Sequence, residues 1–577
     1  MPQKLAVAIS GAVSLGSYEA GVMYEIIEAI AQHNSHPDTT DDQRIEIDVI
    51  TGASAGAMTA CILAQKLMFE AEALRQPYAN ALYGPWVEDI DIKGLLNLRP
   101  SEDPNLSILS SDQIAEIGYN YVMRRYASGQ PTPRQRHPAA AAKIRIGLAM
   151  SNLTGVDYSV EVTDFPDVAN PSNRSRRMFT YTRHKDYFTY EIKDGDQDDN
   201  PKLWRQLEQV ARSSGAFPFA FRLLQIDRQG SDPSFRRSTL SPDHLYSFVY
   251  TDGGVFENEP LGLAKDLVDQ IDEKHLDHHN RFYLYVSPGA KSSTVNPNIK
   301  ADQASYLNTG AALAGAIFTQ ARFQNWIATS KINEAIRQFE RQAKELSDVL
   351  LKSPQLRTAF SSVADNLLEV LYNQGTPDEQ QQQIATDRDR LRQQFTEEYD
   401  RLVYASNKNG INGNEVAESW LKLVQALEKV QNLGTRDVMT VYAITSGDGE
   451  LAGEQLFAFG GFLDQRFRDF DYNVGRRKAA FFLQKLQELH QQAKGEGQLY
   501  LTNFVAGRSI NPTPADLGQV DLKDVPVTTR RAVKAQLVDR SQRIVESIET
   551  RFWVRWLLKF SLWIFLSNKL DQLLKLK

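Results

Sequence analysis

Cysteine is almost absent: one residue, Cys61, in a chain of 577. A disulfide framework within the chain and any site built from several thiolates are thereby excluded, and the composition fits a reducing compartment. Cys61 falls on an expected helix shortly after Ser54, where a buried packing role is expected. An excess of basic residues is absent too. Lys and Arg number 65 against 72 Asp and Glu, a formal net charge of -7, so no nucleic-acid partner is expected. No apolar run reaches the roughly 20 residues that cross a bilayer. Met1-Pro2-Gln3-Lys4 leads directly into a short apolar run at residues 5–9, too brief for a signal peptide, and a cytoplasmic location is expected. Ligand-type side chains at metal spacing are missing as well, so neither a metal nor another cofactor is expected.

What is present is globular. The 42% hydrophobic and 24% charged residues, with 34 Gly and 23 Pro, leave no room for wholesale disorder or collagen-like repeats. The length suits about two to four domains, or one large domain with insertions. The first third alternates strand and helix signals, the pattern of a parallel sheet covered on both faces. Strands are expected at residues 5–9 and 45–51, each followed by a helix, at 16–31 and 55–69. Further strands are expected at 144–150, 245–250 and 282–286. Residues 178–182 and 187–192 read as a hairpin around Arg183-His184-Lys185-Asp186.

Between about residues 302 and 433, Gln, Glu, Arg and Leu recur at helical spacing, which predicts a mainly helical insertion. The run Gln380 to Gln383 reads as a solvated helix face. Strand chemistry returns at 438–445. The expected organisation is therefore a strand-and-helix domain over 1–300, an insertion over 301–436, and a return to the first domain over 437–500. A linker and helix over 501–545 and an amphipathic helix over 546–577 complete it. In that last helix Arg551, Arg555 and Lys559 share one stripe, and Trp553, Trp556, Phe560 and Trp563 share a neighbouring face. A helix lying in a membrane interface through residues 551–566 explains this pattern, as does one packed on the protein's own surface or on a second copy.

Three short elements carry chemistry. Gly52-Ala53-Ser54-Ala55-Gly56 sits between an expected strand and an expected helix, the setting in which a sharp turn exposes a serine hydroxyl. An ordinary strand-to-helix turn is the bland alternative. Ser10-Gly11-Ala12-Val13-Ser14-Leu15-Gly16 occupies the equivalent turn after the first strand. Its amides at Gly11, Ala12 and Val13 can form an oxyanion hole beside Ser54, and a phosphate-binding or plain turn is the rival reading. The pattern G-x-G-x-x-G is missing there, which weakens a dinucleotide role. Thr251-Asp252-Gly253-Gly254 follows a strand, so that Asp252 reaches the same sheet edge and can accept the serine proton. Alone, such a sequence is usually only a turn.

In this order the three elements resemble the patatin-like phospholipase family. Residues 211–218 (Ala-Arg-Ser-Ser-Gly-Ala-Phe-Pro), Val255 and Asn258-Glu259-Pro260 extend the resemblance. Residues 469–477 (Asp-Phe-Asp-Tyr-Asn-Val-Gly-Arg-Arg) are similar to a segment near the end of some bacterial members. The resemblance is strong over residues 4–290 and weaker over 437–490. It implies a three-layer α/β/α fold around a central, mostly parallel sheet. It further implies a Ser54–Asp252 dyad without histidine, with Gly16, Gly52, Gly56, Gly253 and Gly254 as motif glycines. The implied activity is phospholipase A-like hydrolysis of acyl esters, on phospholipid or another acyl lipid, at a membrane surface and with self-association open. The oxyanion loop departs from the family, which usually has consecutive glycines where this chain has Ala12 and Val13. Valine resists positive φ. Leu15 also replaces the basic residue found in many members.

The rival readings are a soluble thioesterase or carboxylesterase using the same dyad, and a catalytically weak, membrane-associated assembly protein on this fold. A triad using His275, His278 or His279 fits the chain order, but these residues lie in a polar segment outside any chemical motif. Arg174, Arg176 and Arg177 read as a solvated basic loop, with anionic headgroups as the functional alternative.

Overall fold

The computed structural model describes residues 2–127, 133–162, 177–195, 197–272, 280–289, 330–331, 333–372, 377–431, 439–454, 458–492, 499–508, 510 and 522–548, with positions 567, 570–572 and 574–576. Two compact units divide the chain: Met1–Ile271, His279–Asn325 and Val441–Lys577 form the first, and Asp272–His278 with Trp326–Thr440 the second.

The first unit is built on an eight-stranded sheet. Its strands are β1 (Gln3–Ile9), β2 (Ile45–Gly52), β3 (Ala140–Val162), β4 (Arg177–Lys193), β5 (Leu224–Gln229), β6 (Leu245–Thr251), β7 (Arg281–Ser287) and β8 (Thr440–Thr445). They run in the order β5-β6-β3-β2-β1-β7-β8, with β4 paired to β3. The centre is parallel: β1 pairs with β2 and β7, and β2 with β3. These strands are nearly continuous apolar runs because both faces are covered, and every residue of β7 is buried. β3–β4, β3–β6 and β5–β6 pair antiparallel. Flanking helices complete the expected three-layer α/β/α fold. The parallel register aligns the strand ends, with Ile9 opposite both Gly52 and Val286. The chain therefore leaves β1 and β2 side by side at one sheet edge.

Helix α1 (Gly16–Ser35) runs beyond the expected residue 31. The Asn34 side chain, bonded to Ile45 and Pro138 main chain, draws its last turn onto the sheet. Helix α2 (Ala55–Phe69) is buried almost all round, as its apolar composition requires. Described helices that come after it include α3 (Ser111–Gly118), α4 (Pro201–Ser214) and α5 (Leu261–Asp272). In the second unit they include α6 (Arg357–Leu371), α7 (Pro377–Gln394), α8 (Thr396–Lys408) and α9 (Gly413–Val430). In the first unit again come α10 (Gln465–Gln492) and α11 (Val527–Ile548).

The expected hairpin around residues 183–186 does not form. Residues 177–193 are one strand, and the turn lies in the partner: between Ser151 and Val156 the register shifts, with Gly155 at φ +78. The polar residues that read as a turn are instead absorbed by burial in a network. Asp186 accepts from Arg228 Nη1 at 3.2 Å and from the Tyr250 hydroxyl at 2.9 Å, and His184 Nδ1 lies 2.8 Å from Asn152 O.

The residues after the second unit return to this sheet. β8 lies beside β7, and α10 packs along α1. The two helices approach so closely that a Cβ on Gly21 would lie 2.0 Å from Tyr472 O, and one on Gly475 2.1 Å from Tyr18 O. A buried ion pair, Arg476 Nε to Glu25 Oε2 at 3.1 Å, crosses the same seam. The second unit has a core of its own in which Trp420 is fully buried among Phe339, Phe395 and Leu402, its indole N–H donating to Ala343 O at 2.9 Å. The aromatic and basic segment 551–566, the basic cluster at 174–176, and His275, His278 and His279 lie outside the described residues. Among the described residues no helix is long and apolar enough to cross a membrane.

Candidate active site

Ser54 caps α2 directly after β2, and its backbone shows why the flanking residues are small. Its φ of 52 and ψ of -124 lie in a region rarely used by residues with a side chain. The strain persists because the main chain around it is packed without clearance. A Cβ at Gly56 would come within 2.3 Å of Ser10 O, and one at Gly52 within 2.3 Å of Gly56 O. Ser54 N–H is itself engaged, donating to Ser214 Oγ at 2.9 Å, and Ser214 passes its own proton to Ala149 O at 2.6 Å. Two strand ends and the end of α4 thus fix the turn.

Asp252 arrives from β6. Its Oδ2 accepts the Ser54 hydroxyl at 2.6 Å and its Oδ1 the N–H of Gly254 at 2.7 Å. Its amide donates to Ala216 O at 3.0 Å, an oxygen that also accepts the Thr251 hydroxyl at 2.9 Å. The small-residue segment 211–218 therefore holds both partners, Ser54 through Ser214 and Asp252 through Ala216. Sequence reasoning quoted that segment without a role for Ser214; a serine pair between a helix end and Phe-Pro was the available signal. Burial pushes the Asp252 carboxyl up to about 7, against the opposing pull of its hydrogen bonds from Ser54 and Gly254. Among the described residues no histidine bonds to Ser54 or Asp252. Cys61 is buried and its thiol is pushed far up by desolvation, as its packing position requires.

The loop after β1 lies against Ser54, since a Cβ on Gly11 would meet Ser54 Cβ at 3.1 Å. Asn258 fastens its first residue: Gly11 N–H donates to Asn258 O at 2.9 Å and Asn258 Nδ2 to Gly11 O at 3.4 Å. Among the described residues no main-chain acceptor meets the amides of Ala12, Val13 and Ser14. Val13 has a φ of 52. For a β-branched residue this conformation costs about 1–3 kcal/mol.

One turn along α2, Met58 donates its N–H to Ser54 O at 3.3 Å. There an apolar cavity of about 50 Å³ opens between α2, α3 and α4, walled by Met58, Ile62, Trp86, Ile114, Val122 and Ala211. Its charged lining residues, Glu208 and Arg212, are paired with each other. Among the described residues no cluster of His, Cys, Asp and Glu could hold a metal.

Residues 7–265 match the family model of the patatin-like phospholipases, and the match takes in the loop, the serine turn and Asp252 together. This part of the chain is a patatin-like phospholipase domain. A curated relative from Sinorhizobium fredii (strain NBRC 101917 / NGR234), carrying only the name uncharacterized protein y4iI, is 23% identical over 359 residues, covering 49% of this chain and 49% of its own. The chain thus spans about half the length of the curated relative it matches. Strands β7 and β8 and helix α10 fall outside the matched patatin-like residues, yet share their sheet and pack on their first helix.

Proposed function

We propose that this patatin-like protein is a serine lipid acyl hydrolase of phospholipase A type, acting through Ser54 and Asp252 alone. The observation that carries the reading is the 2.6 Å hydrogen bond from Ser54 Oγ to the buried carboxylate of Asp252, against which no cation stands among the described residues. As Ser54 Oγ attacks the ester carbonyl, Asp252 accepts its proton. The N–H groups of Ala12 and Val13 receive the oxyanion, Gly11 being engaged by Asn258. When the tetrahedral intermediate collapses, the alcohol leaves with the proton from Asp252. Water then attacks the acyl-enzyme with Asp252 again as base, which restores Ser54 and releases the fatty acid.

The apolar cavity beginning one helical turn from Ser54 supports an acyl chain over a small polar acid as the group carried by the serine. The strained Val13 favours a second reading within the same chemistry, an enzyme of restrained rate. Fatty-acid release from mixed phospholipid vesicles, followed by mass spectrometry, tests both. Ser54→Ala and Asp252→Ala should each lower release by about a thousand-fold or more. A variant of either residue with the wild-type rate removes the dyad.

A further inference from the structure

Val13 holds a conformation that valine resists, and the groups beside it come from the far end of the sequence. Ser14, fully buried, donates its hydroxyl to Ala458 O and accepts the N–H of Gly461 at 3.1 Å. Both partners lie between β8 and α10, and both belong to the same compact unit as the loop. Their stretch is in turn fixed from α10. The buried Arg468 gives Nη1 to Gly461 O at 2.9 Å and Nε to Val87 O at 3.1 Å. Asp471, fully buried, accepts the N–H groups of Ala452 and Gly453 at 2.7 and 2.9 Å. Gly453 lies directly on the loop, for a Cβ there would meet Leu15 Cδ2 at 2.8 Å. Arg468 and, within the segment 469–477, Asp471, which the reaction does not use, thus reach the neighbourhood of Ser54 through two turns of main chain.

We propose that Ser14 is a positioning residue for the oxyanion loop: its bridge to Ala458 and Gly461 holds Val13 at positive φ, and with it the amides that serve Ser54. The proposal rests on the oxyanion role of Ala12 and Val13 in the proposed function. A valine released from its surroundings leaves this region, because its branched Cβ crowds the main chain. The other restraints on the loop are Gly11 N–H on Asn258 O, Leu15 N–H on Ala12 O, which closes the turn around Val13 and Ser14, and Ser17 Oγ on Ser14 O; none of them uses the Ser14 hydroxyl, so Ser14→Ala leaves them in place. Glycine at position 13 would hold the same conformation unaided. That difference separates clamping from general stability.

In the full chain Ser14→Ala should lower kcat for ester hydrolysis by about 10- to 100-fold with KM unchanged. Gly461→Ala, whose Cβ would lie 2.6 Å from Ser14 Oγ, should do the same. In a Val13→Gly background the Ser14→Ala loss should shrink to about threefold or less. A wild-type kcat in Ser14→Ala, or the same loss in both backgrounds, overturns the proposal. If the wild-type protein hydrolyses no ester, the proposed function fails instead, and hydrogen exchange decides the clamp. Ser14→Ala should then speed exchange in residues 10–15 and leave 58–69 unchanged, and unaltered exchange in the loop overturns it.

Discussion

Asp252 is held by two opposing effects, burial that disfavours its charge and hydrogen bonds from Ser54 and Gly254 that favour it. Burial prevails and the carboxyl titrates near 7. Below that pH the group carries a proton and cannot accept another from Ser54, so kcat/KM should fall about tenfold per pH unit on an acid limb centred near 7. A limb centred near the ordinary carboxylate value of 3.8 would show that burial does not raise this carboxyl, and a limb that survives in Asp252→Ala would show that Asp252 is not the base. The same shift has a stability consequence. The folded state binds the Asp252 proton more tightly than the unfolded chain, so wild-type stability falls as pH rises from about 4 to about 7 and is level above. Asp252→Asn escapes that loss, and chemical denaturation at pH 8 should find it more stable than wild type by about 4 kcal/mol or less, the gap closing near pH 4. Ser54 and Asp252 were legible in the sequence because each marks a strand end beside glycine. The segments holding Ser214 and Asn258 were legible but their roles were not, since each acts by bonding the main chain of a residue 160 or 247 positions away.

At the scale of elements, α2 links the nucleophile to the cavity. Ile62 lies two turns beyond Ser54 on the cavity wall, so Ile62→Phe should fill the space without touching the dyad. We expect kcat/KM for palmitoyl esters to drop about tenfold or more while butyryl esters keep the wild-type value; equal effects on both would separate the cavity from the acyl chain. Helix α2 was readable to its end residues, because an apolar run bounded by a glycine turn and Glu70 needs no tertiary information. Strand β4 was not. Its Arg183 to Asp186 read as a turn because charged residues usually face water, and the Arg228 and Tyr250 that compensate Asp186 stand on other strands. The close crossing of Gly21 and Gly475 was equally invisible, since each glycine alone sits within an ordinary helical pattern.

For the whole molecule, the proposed membrane contact rests on the aromatic and basic pattern of residues 551–566. Truncation after Val545 should depress hydrolysis of phospholipid vesicles about tenfold or more while leaving a soluble short-chain ester unaffected. An equal loss on both substrates would assign that segment to the fold instead. The alternation of strand and helix gave away the central sheet, and polar helical spacing the helices between β7 and β8. That the polypeptide beyond those helices should return to the first loop could not be read, because Ser14 and Gly461 carry no signature of each other. They stand 447 positions apart. A ribosome adds roughly 5–20 residues per second, so about 20 to 90 s separate the appearance of the two. From the synthesis of Asp252 until that of Gly461 a nascent chain carries the proposed nucleophile and base but lacks the bridge that sets its oxyanion loop. On the proposed function such a chain would stay silent until Gly461 had been made and folded onto the loop, a delay set by the distance between the two partners.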